Sequence, residues 1–358
     1  MKKNIFFIGI IVLIIFACSN YKDSNSYVFN LDKVPLNAKF IDNDWYIWGG
    51  SVVEKDGKYH MFYSRWPKKF HFNAWLTYSE VAHAVSDSPF GPFRHKDIAL
   101  PSRDPKLWDG YNTHNPTVKE FDGKYYIYYT GNTGNRKVKE KSYNWEHRNN
   151  QRIGVAVANH PNGPWKRFDQ PLIDVSNDST AHDALMLANP SVTRHPDGRY
   201  VLVYKCVGKK RKLPNGGPVV HMVAFSDSPT GPFTKHPDPI FTAKGNEFPA
   251  EDPYIWTQDG KMFAIVKDFK GTFTKKGQSL ALFESKNGIE WDLSQNPLVS
   301  TVKIEWENRT QKVKHLERPQ LFFKNGKPYS LMCASDTLDV NGVLQSFNVQ
   351  IPVSFEKK

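Results

Sequence analysis

Five times along this chain an Asp-Gly or Asn-Gly step separates two short runs of strand-forming residues. The segments are DGKYHMFYS from Asp56, DGKYYIYYTG from Asp122, DGRYVLVYK from Asp197, DGKMFAIVKD from Asp259 and NGKPYSLMCA from Asn325. A dipeptide of this kind between apolar or alternating runs is the best short-range hairpin signal, because both central positions of the turn need positive φ. A second element keeps register with each turn: WGGSVV before the first, then HNPTV, ANPSV, EDPYI and ERPQL. Pro116, Pro253 and Pro319 stand six residues before their turns and Pro190 seven, with Gly50 in the proline place of the first copy. A third element, SDSPFGPF, ANHPNGPW and SDSPTGPF, follows in the first three copies, and SKNGIEW is a degenerate fourth.

Chance hairpins do not hold three elements in one order, so the repeat specifies an all-β fold, a five-bladed β-propeller. Composition agrees: aromatics are 14% and there are 23 Gly and 24 Pro, which suits strands and tight turns over helices. Hydrophobic residues at 39% are enough for a core and exclude wholesale disorder. A single domain is expected over 40–358, with either the last strand-like run, Phe347 to Phe355, or the segment before Trp45 closing the ring.

The first 17 residues carry Lys2 and Lys3 and then an apolar run too short for a membrane span, ending in Ala17-Cys18. The segment resembles a bacterial lipoprotein signal, with Cys18 as the lipidated first residue of the mature chain; an ordinary cleaved signal is the alternative. Residues 18–39 read as a polar tether, and the resemblance implies an exported protein, periplasmic or outer-membrane anchored, that meets the membrane through a lipid only; a monomer is expected. Cys206 and Cys333 then remain, and a core of this size needs no disulfide.

In a propeller the innermost strand of each blade lines the axis, so the two positions before each proline form a ring. They are Trp48 and Gly49, His114 and Asn115, Ala188 and Asn189, Glu251 and Asp252, and Glu317 and Arg318. These blade motifs together resemble the five-bladed glycoside hydrolases of families 43 and 117, over nearly all of the mature chain. The resemblance implies a catalytic base at Gly49, an aspartate that tunes the acid at Asn189, and the general acid at Glu251. Two of the three carboxylates are absent. Glycosidic hydrolysis needs a facing carboxylate pair, for which Glu251, Asp252 and Glu317 are the material and Asp44 and Asp109 the reserve.

Cations flank the same ring. Arg65 ends a second strand where Lys205 and Lys267 hold comparable places, Arg152 and His221 begin third strands, and Arg318 is in the ring itself. The chain carries net charge +12, of which Lys2 and Lys3 contribute two, and arginines grip carboxylate or sulfate bidentately. The expected partner is an anionic oligosaccharide, uronate-containing or sulfated, bound by Trp48, Arg65, Asn115, Arg152, Asn189, Lys205, Asp252, Lys267 and Arg318. Trp66 and Trp75 are further stacking candidates, and His83 reads as a core histidine.

Three functions are open. Elimination across C4–C5 of a terminal uronate would use His114 as base and Glu251 as acid, with Glu317 as a further catalytic candidate, and needs no opposed carboxylates. Exo-acting hydrolysis by a rearranged pair is the alternative, and sugar binding without catalysis the third. The basic residues form no run with interleaved aromatics, which argues against nucleic acid. A propeller axis can hold calcium, but no EF-hand or HExxH spacing occurs, so no cofactor or metal is assigned.

Overall fold

The computed structural model describes residues 26–139 and 141–358; the expected lipoprotein signal and lipidation site at Cys18 lie outside them. Five antiparallel sheets surround a central axis, one for each sequence repeat. Blade one runs through Trp45–Lys55, Lys58–Pro67, Glu80–Ser86 and Arg94–Leu100. Blade two contains Asn112–Phe121, Lys124–Asn132, Arg152–Ala158 and Lys166–Arg167. Blade three is Met186–Arg194, Tyr200–Val207, Val219–Ser226 and Thr234–Lys235. Blade four is Ala250–Gln258, Lys261–Asp268, Ser279–Ser285 and Asp292–Thr301.

Blade five closes the ring with both ends of the chain. Its strands Leu316–Lys324, Lys327–Leu338 and Leu344–Lys357 are completed by Tyr27–Leu31 on the outer edge. Tyr27 pairs with Lys357 and Leu31 with Val353, while Lys39–Ile41 pairs with the same last strand farther in, Lys39 opposite Val349. The two closing segments expected as alternatives therefore act together. Part of the expected tether is structural: Tyr27 is buried, stacks on Phe355 at 4.9 Å, and donates from its hydroxyl to Asp259 at 2.8 Å. Phe29 packs edge-on against Trp256 of blade four.

Four of the five turns are two-residue hairpins with positive φ at both positions, as at Asp56 and Gly57 (53° and 72°). The Asp197 turn is longer, because Arg194 pairs with Tyr200 across five loop residues. That is the copy in which the proline stands one residue farther from its turn. Apolar faces pack between neighbouring blades, as where Ile255, Ala264 and Val266 of blade four meet Val201, Val203 and Val223 of blade three. Cys206 and Cys333 are buried free thiols in these layers. His83 stacks between His60 and Phe62, with centroids 5.1 and 4.8 Å away, and is a core residue.

Candidate active site

Each innermost strand breaks register at the ring positions: between Trp48 and Ser51, His114 and Thr117, Ala188 and Ser191, Glu251 and Tyr254, and Glu317 and Gln320. These are β-bulges, which re-aim side chains at the rim of a sheet. The second ring residue of every blade is left-handed: Gly49 at φ 57°, Asn115 at 50°, Asn189 at 55°, Asp252 at 51° and Arg318 at 54°. Glycine, asparagine and aspartate tolerate that conformation, whereas arginine is strained in it.

Those second residues form a closed network around the axis. Asn115 Nδ2 donates to Asn189 Oδ1 at 2.7 Å, and Asn189 Nδ2 to Asp252 Oδ1 at 2.6 Å. Arg318 donates through Nη1 to Asp252 Oδ1 at 3.4 Å and through Nη2 to the Asn115 carbonyl at 3.2 Å. The Arg318 side chain lies over Gly49, where an added Cβ would sit 3.3 Å from its Cγ. So the place of the base implied by the resemblance is covered by a buried guanidinium. Its charge on the axis also opposes a calcium ion there. Among the described residues no cluster of three or more His, Cys, Asp or Glu is arranged to hold a metal.

Four of the first ring residues, Trp48, His114, Glu251 and Glu317, line a cavity of about 620 Å3. Glu251 Oε1 accepts from Lys205 at 2.8 Å and Oε2 lies 3.9 Å from Lys267. Lys267 also bonds Glu317, so one ammonium joins the two glutamates. Burial would raise the Glu251 carboxyl, but Lys205 and Lys267 together outweigh it and hold Glu251 below the usual range. Burial raises Glu317, and its one lysine, Lys267, does not offset this against the nearby charges of Glu251 and Asp252. Asp252 is also raised, by burial and by Glu251.

His114 lines the same cavity. Its Nε2 faces Gln151 at 3.3 Å and its buried Nδ1 has no partner among the described residues. Desolvation takes its pKa down to about 3, so it is neutral and a poor proton acceptor. Trp48, Asn115, Asn189, Lys205, Asp252, Lys267 and Arg318 line the cavity, as do Trp66 and Trp75. Trp66 is fully buried beneath Phe72, while Trp48 and Trp75 are partly open.

Arg65 and Arg152 are corrections. Trp48 pairs with Ser64, as Ala188 pairs with Lys205 and Glu251 with Lys267, so Ser64 is the cavity-facing equivalent of the lysines. Arg65 is one residue on, and a shift of one reverses the face of a strand. It bonds Glu80 at 2.9 Å and lies 4.1 Å above Trp45. Likewise Ile153, not Arg152, corresponds to His221, since Ile153 pairs with Thr130 as His221 pairs with Lys205. Arg152 bonds Asp174 instead. The reserve carboxylates are also elsewhere: Asp44 is exposed, and Asp109 is buried against Arg103, Arg167 and Tyr129.

The sequence reading missed Arg148, Gln151, Lys314 and His315, which all line the cavity. The first two lie in a long connection between strands of blade two, residues 133–151, whose length beside the short turns was the available signal.

No family model matches the chain. A xylosidase/arabinosidase of Bacteroides ovatus is 29% identical over 135 residues, 37% of this chain and 34% of that protein, so the match spans about a third of the relative. Two solved structures share the architecture. A family 117 glycoside hydrolase of the marine bacterium Zobellia galactanivorans aligns with TM-score 0.60 at 15% identity, over 92% of this chain and 90% of that one. A thermostable family 43 glycoside hydrolase aligns with TM-score 0.56 at 13% identity, over 88% and 91%. The chain thus has the five-bladed propeller fold of these carbohydrate-active enzymes.

Proposed function

We propose that the protein is an exo-acting glycoside hydrolase for cell-wall oligosaccharides, working through a carboxylate pair moved to blades four and five. The observation that carries this is the placement of Glu251 and Glu317 on one cavity wall, joined by Lys267, in unequal charge environments. Glu317 bonds the Lys267 ammonium and Glu251 Oε2 lies 3.9 Å from it, so the nearest carboxylate oxygens stand at most roughly 7 Å apart. That admits the spacing of about 5–5.5 Å at which retaining glycosidases work and reaches only the lower end of the about 6.5–9.5 Å of inverting ones.

Environments that push two carboxyls apart assign their roles. Glu317, raised by burial, is the acid that protonates the glycosidic oxygen. Glu251, kept ionised by two lysines, takes the proton of the attacking water or attacks the anomeric carbon itself. This reverses the role that the resemblance implies for Glu251. Trp48 and Trp75 offer apolar faces to the sugar, and the axial network fixes the backbone that carries both glutamates. The xylosidase/arabinosidase relative supports hydrolysis, and five cationic residues against three carboxylates in the cavity wall favour an acidic chain.

Elimination has less support than the sequence suggested. Its carboxylate grip loses Arg65 and Arg152, and its base, His114, is desolvated and weak. We also propose export as a lipoprotein anchored through Cys18. The deciding experiment is incubation with aryl xyloside, aryl arabinofuranoside and uronate-ended oligosaccharides. Saturated sugar release is expected; a product with the ultraviolet absorbance of a C4–C5 double bond would overturn hydrolysis in favour of elimination. Binding without any product would leave a sugar-binding protein.

A further inference from the structure

In the connection after the second strand of blade two, residues 141–151 carry a short helix, Trp145–Asn149, and reach the cavity wall through Tyr143, Arg148 and Gln151. Asn144 caps it by accepting from the His147 amide at 3.2 Å. His147 is buried, bonded at 2.5 Å to Asn132 and accepting from the Arg136 amide at 3.0 Å, which fixes the insertion to the blade. The next residue, Arg148, is thereby set in the cavity wall. Its Nη1 donates to Asn149 Oδ1 and to the Asn215 carbonyl, both at 2.9 Å. Its Nε and Nη2 make no hydrogen bond among the described residues and no carboxylate pairs with it, though the guanidinium lies 5.6 Å from the centre of the Trp145 ring.

Burial lowers the Arg148 pKa only to about 10, so the group stays cationic. A partly desolvated cation without a counter-ion is costly unless a ligand brings the charge. The same wall holds two more unmet groups, the buried Ser79 Oγ and His114 Nδ1. Trp75 stands between His114 and Tyr143, with ring centroids 5.2 and 6.2 Å away. Both glutamates belong to blades four and five, while this wall belongs to blades one and two.

Resting on the reading of the cavity as a glycan site, we propose that this wall is a subsite for a sugar bearing a carboxylate or sulfate. The Nε–Nη2 edge of Arg148 grips the anionic group bidentately, and Trp75 stacks on the ring. Arg148 is then the residue that selects charged substrates over neutral ones.

The test is calorimetric binding in the Glu317→Gln background, so that no probe is consumed. The probes are trigalacturonate, its carboxyl-reduced counterpart and a sulfated galactotriose. At least one charged probe should bind about tenfold more tightly than the neutral one, and which one does so separates uronate from sulfate. Arg148→Gln should erase that preference, about a tenfold loss, and leave the neutral probe unchanged. Arg148→Lys should retain part of it, since a point charge replaces a fork. Equal affinity for charged and neutral probes, or equal losses for both in Arg148→Gln, would overturn the subsite. Melting curves confirm that each variant folds. Because binding is read without turnover, the subsite and the hydrolytic reading can fail separately.

Discussion

Arg318 is the residue that departs most from its sisters. Four blades place Gly, Asn or Asp at the left-handed ring position, residue types that accept it cheaply, while arginine accepts roughly 1–2 kcal/mol of strain. What it gains is a charge partner in Asp252 and cover over Gly49. An aspartate introduced at Gly49 would therefore meet a guanidinium before it met water. Gly49→Asp should give no rise in kcat, and a denaturant titration should show stability unchanged or lowered. At the glutamates, the sign of the pH dependence follows from their environments. The active form needs Glu317 protonated, so activity falls as pH rises through its raised pKa. It needs Glu251 ionised, so activity falls as pH drops through its lowered pKa. The pH–rate profile should be a bell; Glu317→Gln should lose its alkaline limb together with about 10²–10⁴-fold in kcat. Retention of that limb in Glu317→Gln would reject the assignment.

Among the elements, the innermost strands were legible because each carries its own marker, a proline or glycine after the bulge. Second and third strands carry none, and there a one-residue ambiguity put Arg65 and Arg152 on the wrong face. The pairing of Trp48 with Ser64 resolves it, and pairing across strands is written in no local pattern. Arg148 escaped notice for a different reason, since an insertion has no counterpart in the repeats to be compared with. The closing strand Tyr27–Leu31 was read as tether because its five residues are few and its partner is more than 300 positions away. Its contribution can be measured. Phe29→Ala removes a buried ring from the blade-four contact and should cost about 3–5 kcal/mol. The urea midpoint should fall with little change in slope.

For the whole molecule, repetition made the architecture readable: five copies in one order leave a ring as the simplest way to bury every sheet face. The site was readable where the ring sequence itself supplies it, at His114, Glu251 and Glu317 and their neighbours, and on the second strands at Lys205 and Lys267. Global stability should report a property spread over many blades. His60, His83 and His147 are pushed down to about 4 and His114 and His221 to about 3, in each case mainly by desolvation. These groups are neutral when folded and take up protons when unfolded, so stability is full above about pH 6.5. It should decline as pH falls from there towards 4, and a melting temperature flat across that window would contradict the burial of these rings.

The last residue of the chain donates its amide to the Ser26 carbonyl at 2.8 Å. Where a polypeptide begins and ends is thus almost irrelevant to this ring. A circular permutant, with residue 358 spliced to residue 26 and the backbone opened in the exposed loop at 195–199, keeps every strand neighbour it had before. Such a molecule would carry its free ends at the turn between the first two strands of blade three, and would trade a clasp formed late in synthesis for one formed between adjacent segments.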